Sequence, residues 1–134
     1  MAFALEITDL KKTYPGGVEA LKGISFAVNE GDFYALLGPN GAGKSSTIGI
    51  IGSLVTKSSG KVKIFDIDTD GNTEQAKMML GVVSQEINFS QFEKVIDIVV
   101  TQAGFYGISK SEAMPRVESI LKRLCLWDKK DVQA

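Results

Sequence analysis

The sequence predicts an α/β fold in which a buried strand runs into a phosphate-binding loop and a helix leaves it. Three observations carry that prediction. Gly38-Pro39-Asn40-Gly41-Ala42-Gly43-Lys44-Ser45 matches the P-loop pattern G-x-x-x-x-G-K-[ST], with a third glycine inside it. Before it, Phe33-Tyr34-Ala35-Leu36-Leu37 is a short apolar run of strand length, suited to the interior of a parallel sheet. After it, Ser45 to Leu54 reads as a helix, with Ile48, Ile51 and Val55 recurring at helical spacing.

The loop chemistry follows from its residue types. Gly41 and Gly43 permit backbone geometries that a Cβ resists, so successive N–H groups can converge on an anion at the positive end of the helix dipole. Lys44 adds a full positive charge, expected near the β- and γ-phosphates of a nucleotide, and Ser45 offers a hydroxyl to Mg²⁺.

Composition sets the outer limits. The 134 residues are 44% hydrophobic and 23% charged, as in an ordinary globular domain or part of one. A net charge of -1, with both signs mixed along the chain, gives no polybasic surface, and no nucleic-acid partner is expected. The single cysteine, Cys125, excludes an intrachain disulfide and any multi-cysteine metal site. Among Leu121, Leu124 and Leu126 it reads as a small buried hydrophobe. The absence of histidine removes Ser-His and Cys-His catalytic pairs and every histidine metal site. The N-terminus lacks the basic region of a secretory signal, and no apolar run reaches bilayer-spanning length. A cytoplasmic location is therefore expected, with any membrane role exerted through a partner.

Taken in order, Phe3, Leu5 and Ile7 suggest a first strand ending near Asp9, and Pro15-Gly16-Gly17 marks a turn. Ile24, Phe26 and Val28 give a second strand, and Phe33–Leu37 the third. Beyond the P-loop helix, Val62, Ile64 and Ile67 mark another strand. A short helix from Thr73 to Met79 follows, for which Asn72 and Gln75 offer a capping box. Leu80-Gly81-Val82-Val83-Ser84 reads as a short buried strand ending at Gln85-Glu86. Apolar residues at 95, 98 and 99 and at 114, 117, 120, 121 and 124 then carry helical spacing. Ser109 with Glu112 forms a second capping box, and Pro115 is expected to shift the start of its helix or kink it.

The surroundings of the P-loop narrow the family. Leu5-Glu6-Ile7-Thr8-Asp9-Leu10-Lys11-Lys12-Thr13-Tyr14, Ala20-Leu21-Lys22-Gly23-Ile24-Ser25-Phe26 and Gly31 through Ser46 together resemble the opening of an ABC transporter ATPase subunit. The resemblance continues through Ser59-Gly60-Lys61-Val62 and Leu80 to Glu86 and covers essentially the whole chain. It implies a P-loop NTPase of the ABC ATPase type. Residues 1–87 would form the N-terminal part of the ATP-binding core (β layer, P-loop, Q-loop) and residues 88–134 the beginning of the helical subdomain.

The same resemblance implies ATP and Mg²⁺ as ligands. Tyr14 would stack on the adenine ring, Val18 would line that side, and Ser46 would contact the α-phosphate in place of the family's usual threonine. Gln85 matches the Q-loop glutamine, which reaches Mg²⁺ and orients water. Lys44 and Gln85 are thus the catalytic candidates, and Ser45 and Gln85 the metal ligands. Ser84 departs from the proline common before that glutamine.

No LSGGQ-type signature, no Asp-Glu pair closing an apolar strand as in a Walker B segment, and no switch histidine occurs in the sequence. The expectation is an N-terminal portion of a nucleotide-binding domain, half or less of its usual length, inactive alone and prone to self-association. The implied partners are a transmembrane permease and a second ATP-binding subunit, in an export-type transporter. Two alternatives stay open: a non-transport ABC ATPase of translation or DNA repair, and a nucleotide-binding module without turnover.

Overall fold

The structure is a computed structural model that describes residues 3–84 and 90–134. The chain divides into two compact units, Met1–Val82 and Val83–Ala134.

The first unit is built on a four-stranded antiparallel sheet in the order β2-β1-β3-β4. Strands β1 (Phe3–Tyr14) and β2 (Val18–Asn29) form a long hairpin; β3 (Ser59–Ile64) pairs with the free edge of β1, and β4 (Ile67–Asp68) pairs with β3. Strand β1 runs past the end expected near Asp9. Asp9 adopts a left-handed φ of 47° at a register shift, so the buried residues Ile7 and Leu10 are spaced by three rather than two. The bulge interrupts the alternation that marks a strand in sequence without ending the strand. Its crowding is visible at Gly60, with φ +95°, where a Cβ would lie 2.6 Å from the Leu10 Cα. Ile64 and Ile67 are joined through Phe65 and Asp66, both at positive φ (45° and 63°), a tight hairpin without the usual Asn-Gly signal.

The core of this unit holds Ile7, Leu10, Leu21 and Val62 from the sheet and Ile50 from helix α1 (Lys44–Ile51). Each such fully buried aliphatic side chain stabilises the fold by about 1.5–3 kcal/mol. Helix α1 stops before the expected Leu54. The N–H groups of Leu54 and Val55 both return to the Gly49 carbonyl, at 2.8 and 3.0 Å, and Ser53 turns left-handed at φ 57°. The buried face is also shifted from the apolar spacing: Thr47 and Ile50 are buried, whereas Ile48 is 53% exposed.

Two expected strands are not in the sheet. Phe33–Leu37 is outside the named strands, with Phe33 99% and Leu37 89% exposed. Leu80–Ser84 likewise lies outside the named strands, and Val83 is exposed. A run apolar on both faces needs a neighbouring strand at its edges and a layer on each side. Among the described residues neither segment has a partner strand, and the observed sheet is antiparallel throughout.

Helix α2 (Thr73–Met78) starts where expected, but Asn72 makes no side-chain cap. Thr73 Oγ1 instead donates to the Thr69 carbonyl at 2.7 Å, tying the helix start to the preceding turn.

The second unit pairs α3 (Val95–Phe105) with α4 (Lys110–Arg123), followed by a 3₁₀ turn, Trp127–Lys129. Ser109 caps α4 by accepting from the Glu112 N–H, as the capping-box pattern predicts, while the Glu112 carboxylate accepts from the Ser109 hydroxyl. Neither a shifted start nor a break occurs at Pro115; α4 is continuous through it. The carbonyl deprived of a donor belongs to Ser111, in the exposed first turn, where water can satisfy it. The buried stripe is Ala113, Val117 and Leu121, while Ile120 and Leu124 face outward at 46% and 61% exposure. Cys125, expected inside, is exposed and left-handed at φ 56°, because it lies in the turn that ends α4.

Candidate nucleotide-binding site

The P-loop joins residues 33–37 to α1 and packs on β2. Gly43 is the N-cap of α1 at φ 84°, and a Cβ there would meet the Leu21 side chain and the Ala20 carbonyl oxygen, at 2.5 and 2.6 Å. Glycine is therefore required twice, for its left-handed backbone and for the close approach of β2. Thr47, fully buried, closes the first turn by donating from Oγ1 to the Gly43 carbonyl at 2.9 Å. Gly41 is left-handed too, at φ 85°, and the Ala42 N–H returns to the Pro39 carbonyl at 3.2 Å.

These constraints aim the N-terminus of α1 outward. The first N–H groups of a helix have no intrahelical acceptor, and the first turn of α1 contains no acidic residue to neutralise its dipole. Lys44 folds back over the loop and donates to the carbonyls of Gly38 and Pro39, each at 2.6 Å. Its ammonium thus stands among the loop residues, held by these two neutral carbonyls. Ser45, itself exposed, follows in the first turn. An anionic ligand fits this combination of open N–H groups, a helix dipole and a lysine.

The metal requires less of the protein. Mg²⁺ commonly keeps several waters and takes few protein oxygens, so the Ser45 hydroxyl suits a partial ligand beside phosphate oxygens. Among the described residues no group of three or more His, Cys, Asp or Glu side chains forms a separate metal site. Gln85, the other metal candidate, lies outside the described residues.

The structure brings Tyr14 to the helix. Its hydroxyl lies 3.0 Å from the Ser46 Oγ, in the first turn of α1. Val18 is the direct cross-strand partner of Tyr14 at the end of the hairpin, on the same sheet face, and is 63% exposed. The Pro-Gly-Gly turn between them is closed by the Gly17 N–H on the Tyr14 carbonyl at 3.1 Å. Tyr14, Val18, Ser46 and the P-loop therefore belong to one compact unit.

Lys12 was not evident as a site residue. Its Nζ lies 4.7 Å from the Tyr14 ring centroid and donates to the Thr56 carbonyl at 2.6 Å. A signal existed, since residues two apart on a strand share a face. Thr47 and the contact of Gly43 with Ala20 had no comparable signal in the sequence.

The family model for ABC transporters matches residues 21–134, which include the whole P-loop and α1. The chain belongs to the ABC transporter family. This ABC transporter family chain is 34% identical over 125 residues to the linearmycin resistance ATP-binding protein LnrL of Bacillus subtilis. That alignment covers 93% of the chain and 40% of the relative. It is 36% identical over 130 residues to the energy-coupling factor transporter ATP-binding protein EcfA of Carboxydothermus hydrogenoformans, covering 96% of the chain and 48% of the relative. A dimeric ATP-binding cassette in a post-hydrolysis state with ADP and Pi superposes with a TM-score of 0.78 at 26% identity, over 97% of this chain and 62% of that one. The chain thus has the fold of a P-loop NTPase nucleotide-binding domain, in part, and spans less than half of those two relatives' lengths. Among the described residues no helix is long and apolar enough to cross a membrane.

Proposed function

We propose that this chain carries the nucleotide-phosphate site of an ATP-hydrolysing subunit that drives transport by a separate membrane subunit. The observation that supports it most is the P-loop itself. A left-handed Gly43 wedged against β2 presents the acid-free N-terminus of α1 beside Lys44. Lys44 would leave its loop carbonyls for the β- and γ-phosphates, Ser45 would hold Mg²⁺, and Ser46 would reach the α-phosphate. Gly38, Pro39, Asn40, Gly41, Ala42 and Gly43 would supply the loop backbone. Tyr14 and Val18 would receive the base, and Gln85 would join the metal shell. Bound Mg²⁺ would supply charge neutralisation at the phosphate oxygens.

The subunit would act as one of a pair, with ATP favouring the closed pair on the cytoplasmic face and hydrolysis releasing it. Likeness of the opening residues to export-type subunits supports export. The 134 residues contain no signature and no Asp-Glu pair of the Walker B kind, so the chain alone would bind without turnover. Phosphorus NMR tests the site: ATP resonances should broaden or shift on addition of the chain and not with Lys44→Ala. Steady phosphate release above background by this chain would contradict the proposed inactivity.

A further inference from the structure

The contact between Tyr14 and Ser46 joins residues 32 apart in sequence, and both hydroxyls are partly buried. A hydroxyl has one proton to give and two lone pairs to receive with. When Tyr14 donates, Ser46 keeps its own proton for a third group; when Ser46 donates, that proton is spent on the Tyr14 phenol oxygen. A phenol is a better hydrogen-bond donor than an alkyl hydroxyl, and an anion at the helix N-terminus needs donors. The first sense is therefore favoured once a phosphate is present.

Lys12 fixes the ring from another side. Its ammonium sits over the Tyr14 face at 4.7 Å and is itself anchored on the Thr56 carbonyl, in the segment that follows α1. One face of the ring is thus covered by a cation, so a stacking base would take the opposite face.

We propose that the Tyr14 hydroxyl is a positioning group: it donates to the Ser46 Oγ and so turns the Ser46 proton toward the nucleotide's α-phosphate. One side chain then serves both ends of the ligand, its ring the base and its hydroxyl, through Ser46, the phosphate. The proposal rests on the reading of the P-loop as a nucleotide site with Ser46 on the α-phosphate.

The test is a double-mutant cycle on the full chain, with Mg-ADP affinity measured by equilibrium dialysis and folding checked by thermal unfolding. Tyr14→Phe keeps the ring and should weaken ADP about three- to tenfold, the size of one hydrogen bond. In a Ser46→Ala background the same change should cost nothing further, whereas in Ser46→Thr, which keeps a hydroxyl, the penalty should persist. A purely structural tyrosine would weaken binding equally in all three backgrounds. Tyr14→Phe binding as tightly as wild type, while Ser46→Ala is weakened, would overturn the hydroxyl relay alone. Ser46→Ala binding as tightly as wild type, or no ADP binding by the wild-type chain, would overturn the underlying phosphate reading as well.

Discussion

Gly43 and Ala20 are in contact through their backbones: a Cβ on Gly43 would stand 2.6 Å from the Ala20 carbonyl oxygen. The P-loop is therefore seated on β2, and its shape depends on the hairpin as much as on its own glycines. Gly43→Ala should destabilise the chain by at least about 2 kcal/mol, from the left-handed φ and the clash together, and abolish nucleotide binding. Urea unfolding and ADP dialysis on the same sample check both. An unchanged midpoint would mean that the loop is not held by β2.

Thr47 is buried and bonded to the Gly43 carbonyl at 2.9 Å. Thr47→Val keeps the shape and removes the donor, so a loss of about 1 kcal/mol is expected. Phosphate affinity should fall with it, because the first turn of α1 loses a tether. A stability change without an affinity change would separate the two roles.

Phe33 is 99% and Leu37 89% exposed on a stretch outside the sheet. Unpaired apolar backbone invites pairing with another chain. Light scattering at tens of micromolar should show self-association, and the double change Phe33→Lys, Leu37→Lys should reduce it. A monodisperse wild-type monomer would contradict the expectation.

Leu121 is buried at 2% exposure, whereas Leu124, the C-cap of the same helix, is 61% exposed. Leu121→Ala should cost roughly 2 to 5 kcal/mol, and Leu124→Ala roughly 0.5 kcal/mol or less. Chemical denaturation followed by Trp127 fluorescence reads the helical unit directly. Equal costs would place the buried stripe where the apolar spacing alone puts it.

Much of the site was legible because its residue types are set by local chemistry. Gly41 and Gly43 answer to positive φ and Ser109 with Glu112 to the orphan donors of a helix start, while the phosphate and Mg²⁺ roles of Lys44 and Ser45 belong to the proposed function. What could not be read depends on neighbours distant in sequence. The alternation of β1 breaks at Asp9 because the strand bulges against β2 and β3, so a strand continuing to Tyr14 looked finished. Phe33–Leu37 has the composition of a central strand, but pairing requires a partner that composition does not reveal. Ile48 and Leu124 hold helical spacing yet face outward, since the buried sides of α1 and α4 include Thr47 and Ala113, which count little as apolar signals. Cys125 falls just beyond the helix, where a run of leucines suggests an interior that the left-handed turn denies.

The most direct measurement is calorimetric titration of Mg-ATP into this chain and into Lys44→Ala. Saturable heat from the wild type, lost in the mutant, is the expected result. Equal heats from both chains, or none from the wild type, would contradict a nucleotide-phosphate site built on this loop.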